Sequence, residues 1–285
     1  MNFRKTATAA ALVAALGASG SASAINIDGI TFGAGAVFER VEVFESERFG
    51  DGQGNDNALI DGVGEELIGI GRVLTIRAPI SAGGQQYWQN GDNGRELTVY
   101  FYQYFAESIT PTASGNDILF SGGRIDVYSD TNMDFNAGIA AGDQASGIAN
   151  ATNGNLWLSL EASPIGGNGA NTGNPNTLLA QVFGSVSAAP VFVTGGGLLD
   201  VVGGLAAEYF DTNTFGCVAA DGANCPDDAD KTFTSSGQTT PVTTGDTWGF
   251  EGTVDLQDYA VPVPGTLALR GLGLAGLGLR VRRKA

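Results

Sequence analysis

The residues best equipped for chemistry in this 285-residue chain lie close together. Cys217 and Cys225 bracket the seven residues Val218 to Asn224, and an acidic loop of Asp221, Asp227, Asp228 and Asp230 runs through and past them. Several oxygen ligands in one loop suit calcium, which takes roughly six to eight hard oxygens. A second run, Asp51 to Asn57, offers more of the same. Neither has EF-hand spacing: counting from Asp51, the sixth residue is Asp56 where Gly is required, and the twelfth is Gly62 where Glu is required. Solvated acidic turns are the plainer account, and Ca²⁺ is the one cofactor these residues suggest.

Other chemistry is excluded by what is missing. The chain has no His, so no imidazole base, His triad or His-containing metal site can form. Two cysteines cannot build a zinc cluster. There is no Gly-x-Ser-x-Gly elbow and no phosphate loop. Thirty carboxylates leave room for a glycosidase pair, but no spacing singles out two of them. The chain reads as non-catalytic.

The charge is unevenly placed. All 30 acidic residues fall between Asp28 and Asp258, and Ile25 to Val263 holds only 7 basic ones, a net of −23. Nucleic acid and anionic membrane surfaces repel such a body. The remaining cations sit at the two ends. Arg4 and Lys5 precede an apolar stretch from Ala7 to Leu16, then Ala22-Ser23-Ala24. This is the order of a secretory signal peptide, cleaved after Ala24, which implies the Sec translocon as an export partner. Export to an oxidising compartment makes a Cys217–Cys225 disulfide the simplest reading of that pair. The alternative, a catalytic thiol, lacks a base, and the nearby carboxylates would raise its pKa.

At the other end, Val261-Pro262-Val263-Pro264-Gly265 leads into an apolar run from Thr266 to Leu279, interrupted only by Arg270. Arg280, Arg282, Arg283 and Lys284 close the chain. As a helix, Gly265 to Leu279 would span about 22 Å, short of the ~30 Å hydrocarbon core. With cations at both ends held inside, the precursor would be a hairpin with only transient inner-membrane anchoring. The tail resembles the PEP-CTERM sorting signal of exosortase substrates in Gram-negative bacteria. The Pro-Gly-Thr-Leu-Ala-Leu run, the Gly-Leu-Gly-Leu-Ala-Gly-Leu stretch and the Arg-Arg-Lys-Ala ending carry the likeness. It departs at Val263, where the family has Glu, and at Arg270, where it usually has Leu. The resemblance implies exosortase cleavage near Pro262-Val263-Pro264 and release to the envelope or extracellular matrix.

The body between these signals must be built from strands. Gly makes up 44 of 285 residues, about twice the usual ~7%, which disfavours helices. Alternation places Leu97, Val99 and Phe101 on one face of a strand and Thr98, Tyr100, Tyr102 and Tyr104 on the other. It likewise groups Leu156, Leu158 and Leu160, and Trp248, Phe250, Val254 and Leu256. Ile68, Ile70, Leu74 and Ile76 mark a further strand, as do Ile125 and Val127. Turn clusters separate them at Gly50-Asp51-Gly52, Asp92-Asn93-Gly94, Asn153-Gly154 and Gly166 to Asn176. The expectation is one all-β domain over residues 25–260, a β-sandwich or jelly roll, without convincing helical periodicity. The tyrosines could stack on sugar rings or serve as packing.

Three stretches, Gly91 to Thr98, Asn153 to Leu160 and Phe210 to Cys217, resemble flocculation-associated members of the PEP-CTERM group. That likeness implies a cell-aggregation or biofilm role in an exopolysaccharide matrix. The alternative is a carbohydrate-binding module or glycoside hydrolase on a jelly-roll scaffold.

Overall fold

Strands that alternate in and out must bury one face, and here they do so by closing on themselves. The fold is that of a computed structural model that describes residues 24–48, 60–136, 144–165, 176–184, 191–216, 228–239 and 248–262. A short hairpin, β1 (Ile25–Ile27) and β2 (Ile30–Phe32), precedes β3 (Gly35–Arg48) and β4 (Glu66–Arg77). After a four-residue strand β5 (Gln86–Gln89) come β6 (Glu96–Pro111) and β7 (Gly115–Asp130). Helix α1 (Gln144–Ala151), β8 (Asn155–Ser163), β9 (Leu178–Phe183) and β10 (Phe192–Gly203) follow. A single helical turn α2 (Ala207–Phe210), then β11 (Lys231–Thr239) and β12 (Phe250–Ala260), completes the fold.

Each barrel strand pairs antiparallel with the next, and β12 returns to β3 from Phe250↔Glu45 to Ala260↔Gly35. β8 and β9 share one place in the ring. Both run antiparallel to β7 and to β10, with β9 opposite Gly115–Phe120 and β8 opposite Arg124–Ser129. Ile165 N donates to Asn176 O where the chain leaves and rejoins that line. The result is an eight-stranded up-and-down barrel. All-β is therefore right, but two facing sheets are not what forms: a closed ring removes the edges that a sandwich must protect.

The alternation is broken at defined places. Gln103 adopts φ 62° between the pairs Tyr102↔Arg124 and Tyr104↔Gly122, and Gly122 and Gly123 hold φ 67° and 116°, so both β6 and β7 switch parity at one level. Leu97, Val99 and Phe101 point inward as the sequence indicates, but Tyr104 then points inward as well, away from Tyr100 and Tyr102. A second irregularity at Val127/Tyr128 buries Trp157 and leaves Leu156 exposed. Inward glycines make room for the aromatics. A Cβ on Gly69 would stand 2.0 Å from Phe101 Cζ, and one on Gly123 would stand 2.3 Å from Tyr104 Cε1. Close backbone approach of this kind accounts for part of the high Gly content.

One end of the barrel is plugged. Phe32 from β2, Trp157 from β8 and Phe210 from α2 are fully buried, with Phe32 and Phe210 centroids 4.8 Å apart and Trp157 edge-on to Phe32 at 6.1 Å. Trp157 Nε1 donates to Ile27 O at 3.3 Å, which ties the hairpin to the wall. On the outer face, α1 covers Ile70, Phe44 and Tyr100, and Thr98 Oγ1 donates to Ala151 O at 2.7 Å. Periodicity did not reveal this helix because its sequence, QASGIANA, is mostly small residues.

Candidate functional site

At the end opposite the plug, the ring encloses a cavity of about 110 Å³. Its wall includes Phe101, Phe120, Leu178, Val182, Phe233 and Phe250 and is predominantly apolar. An apolar cavity of ~150 Å³ can hold a benzene-sized guest. This one is slightly smaller.

Two ionisable groups stand in that wall. Glu45 projects inward from β3, in register between Phe250 of β12 and Gly69 of β4. Its side chain is half-buried and faces the cavity. Desolvation alone pushes its pKa up to about 8, so at neutral pH Glu45 is mostly a protonated carboxylic acid able to donate. Tyr104 comes in from β6, placed there by the Gln103 switch. It is 2% exposed, and its hydroxyl is buried without a hydrogen-bond partner among the described residues. Burial, with a smaller contribution from Glu45, drives the phenol well above its ordinary range, so it remains neutral. A buried hydroxyl without a partner costs about 1–3 kcal/mol, and a bound polar group would relieve that.

Ser235 also lines the cavity, and two further polar wall groups are engaged. Thr239 Oγ1 accepts Val191 N at 2.8 Å, and Ser46 Oγ bonds Glu47 O at 3.3 Å. Glu45 and Tyr104, with the Ser235 hydroxyl, are thus the polar contacts on offer to a guest. The lumen can bind a small, flat, mainly apolar molecule and satisfy one or two polar atoms on it.

The residues singled out in the sequence lie elsewhere. Ala24 and Pro262 are exposed at the outer limits of the described chain. Val263, Pro264, Arg270, Arg280, Arg282, Arg283, Lys284, Cys217, Cys225, Asp221 and Asp227 lie outside the described residues. Asp228 is exposed, whereas Asp230 is buried. Asp230 accepts the backbone amides of Thr212 and Asn213 on Oδ1 and of Val201 on Oδ2, which fixes the start of β11 against β10. Tyr100 and Tyr102 stack outside the barrel, centroids 4.8 Å apart and 14° from parallel, without Tyr104.

Sequence alternation missed the lumen pair for a physical reason. Glu45 reads as one carboxylate among many, and strict alternation puts Tyr104 outside. The available signal was the Gly122-Gly123 doublet within a strand, which marks a bulge.

No family model matches the chain, and no curated protein matches it either. Among solved structures, it is similar to a nonspecific heme-binding cyclase that catalyses [4 + 2] cycloaddition during neoabyssomicin biosynthesis. That match has a TM-score of 0.24 and 11% identity, over 92% of this chain and 81% of the other.

Proposed function

We propose that this protein is an exported, acidic β-barrel that binds a small, mainly apolar molecule in its lumen, with Glu45 and Tyr104 as the polar contacts. The observation that carries the reading is the buried Tyr104 hydroxyl, without a partner among the described residues, beside an apolar cavity that it shares with a desolvated carboxylic acid. The activity is binding. Export by the Sec route and exosortase processing near Pro262-Val263-Pro264 rest on the terminal signals, and a flocculation role within an exopolysaccharide matrix rests on the resemblance of the three internal stretches. A matrix protein with such a lumen would hold a small aromatic or phenolic compound at the cell surface.

Calorimetric titration with phenol and benzene tests the lumen. Phenol is expected to bind at least tenfold more tightly than benzene, because only phenol can hydrogen-bond Glu45 and Tyr104. Tyr104→Phe and Glu45→Gln should each shrink that preference. Absence of binding by both compounds, or an equal preference in the variants, would remove the proposal. Intact-mass measurement of extracellular protein tests the sorting: mature chains should lack residues 1–24 and those beyond about Pro264.

A further inference from the structure

A second site lies near the plugged end, on the outer side of the β6–β7 ladder. Glu96 at the start of β6 pairs in register with Asp130 at the end of β7. Asp134 follows in the segment leading toward α1. One carboxylate oxygen from each lies within 4.8 Å of the other two. Glu96 and Asp130 are 1% and 7% exposed, while Asp134 is open to solvent.

The hydrogen bonds at this cluster come from neutral donors. Glu96 Oε1 accepts Asp134 N at 2.8 Å and Phe135 N at 3.1 Å. Asp134 accepts Asn153 Nδ2 on both oxygens, at 3.1 and 3.3 Å. Asp130 Oδ1 accepts Thr131 N and Asn132 N. Its other oxygen, Oδ2, is fully buried and has no hydrogen-bond partner among the described residues. Among the described residues no Lys or Arg forms an ion pair with any of the three. A buried anionic oxygen with neither donor nor counter-ion is costly, and a bound cation removes the cost at once.

We propose that Glu96, Asp130 and Asp134 form a binding site for a divalent cation, with calcium as its ligand. All three ligands are hard oxygens, which disfavours soft metals. Calcium tolerates irregular, partly hydrated coordination, whereas magnesium demands near-octahedral geometry. Exposed Asp134 gives the ion a way in, and the remaining positions would be filled by water. Burial first, then the neighbouring Asp134 and Asp130 charges, raise the Glu96 carboxyl above its ordinary range despite its two amide bonds. A bound ion would join the ends of β6 and β7 to the segment that carries α1. This site is separate from the lumen and does not depend on the lumen's role.

Calorimetry and thermal melting of the full chain in calcium chloride, magnesium chloride and sodium chloride at matched ionic strength test the assignment. Calcium should bind with a Kd of about 10⁻⁴–10⁻³ M, as in extracellular modules. At ten times that concentration it should raise Tm by about 3–6 °C over sodium chloride, with magnesium giving a smaller shift. Asp134→Asn, an exposed change that leaves the barrel intact, should weaken calcium binding at least tenfold, and Glu96→Gln should do the same. Equal Tm in calcium and sodium chloride would overturn the site. So would a calcium shift that persists in Asp134→Asn and Glu96→Gln, which would move the ion to another acidic segment. Absence of calcium binding by the parent would also overturn it.

Discussion

The Lys231 ammonium lies 4.3 Å from the centroid of the Phe210 ring, and both residues are sealed from solvent. The same ammonium pairs with Asp258 and with Glu39, the latter at 3.4 Å. β11, β12, β3 and α2 thus converge on a single charge at the plugged end. Desolvation pulls the lysine pKa down and the carboxylate of Glu39 pushes it back. Such a group contributes little net stability as a unit, but taking away one partner leaves buried carboxylates uncompensated. Lys231→Met should therefore cost about 3–5 kcal/mol in urea unfolding. The triple change Lys231→Met, Glu39→Gln, Asp258→Asn should recover most of that loss, and a triple variant no better than the single one would mean the cost lies in packing on Phe210.

Glu45 gives the barrel a distinctive pH dependence. Its folded pKa, about 8, lies above the unfolded value of 4.5. Between those limits the folded state holds the extra proton, so stability falls as pH rises. The contribution is complete below about pH 4.5 and is lost through about pH 8, with a slope of up to about 1.4 kcal/mol per pH unit. Glu45→Gln cannot titrate. Chemical denaturation of parent and variant across this range should show a stability difference that grows with pH in favour of the variant. A constant difference would place the Glu45 carboxyl in ordinary solvent.

The Tyr104 hydroxyl predicts a trade between stability and binding. Without guest it is desolvated and has no partner among the described residues, so Tyr104→Phe should stabilise the empty barrel by about 1 kcal/mol. The same change should erase the preference for phenol. If the variant is destabilised instead, the hydroxyl has a partner in the empty protein.

How far the sequence reaches is visible in particular strands. Alternation correctly grouped Leu97, Val99 and Phe101 on one face of β6 and Phe250, Val254 and Leu256 on one face of β12, the faces that turn inward, and turn chemistry located Asp92-Asn93-Gly94. It failed one residue after each bulge, because a period of two cannot survive an inserted residue. Trp248, grouped with Phe250 in the sequence, instead packs outside with Ile70 and Phe135. Closure of the ring was also hidden: β12 meets β3 more than 200 positions away in the chain, and nothing local encodes that pairing. The lumen site and the carboxylate cluster both depend on these events. Glu96, Asp130 and Asp134 are brought together only by the β6–β7 register and the chain reversal after β7.

The final prediction tests the parity switch that builds the lumen. Gly123 holds φ 116°, a region that side-chain-bearing residues rarely adopt, and a Cβ there would stand 2.3 to 2.7 Å from three ring atoms of Tyr104. Gly123→Ala therefore imposes backbone strain of about 1–3 kcal/mol and an overpacking cost of similar size. Together they should lower unfolding stability by about 2–6 kcal/mol. Truncating the ring relieves only the contact. In a Tyr104→Ala background the same Gly123→Ala change should cost about half as much, the remainder being the backbone term. A double-mutant cycle measured by urea unfolding separates the two. Equal cost in both backgrounds would mean that Tyr104 does not lie over Gly123, and the hydroxyl would lose its place in the cavity.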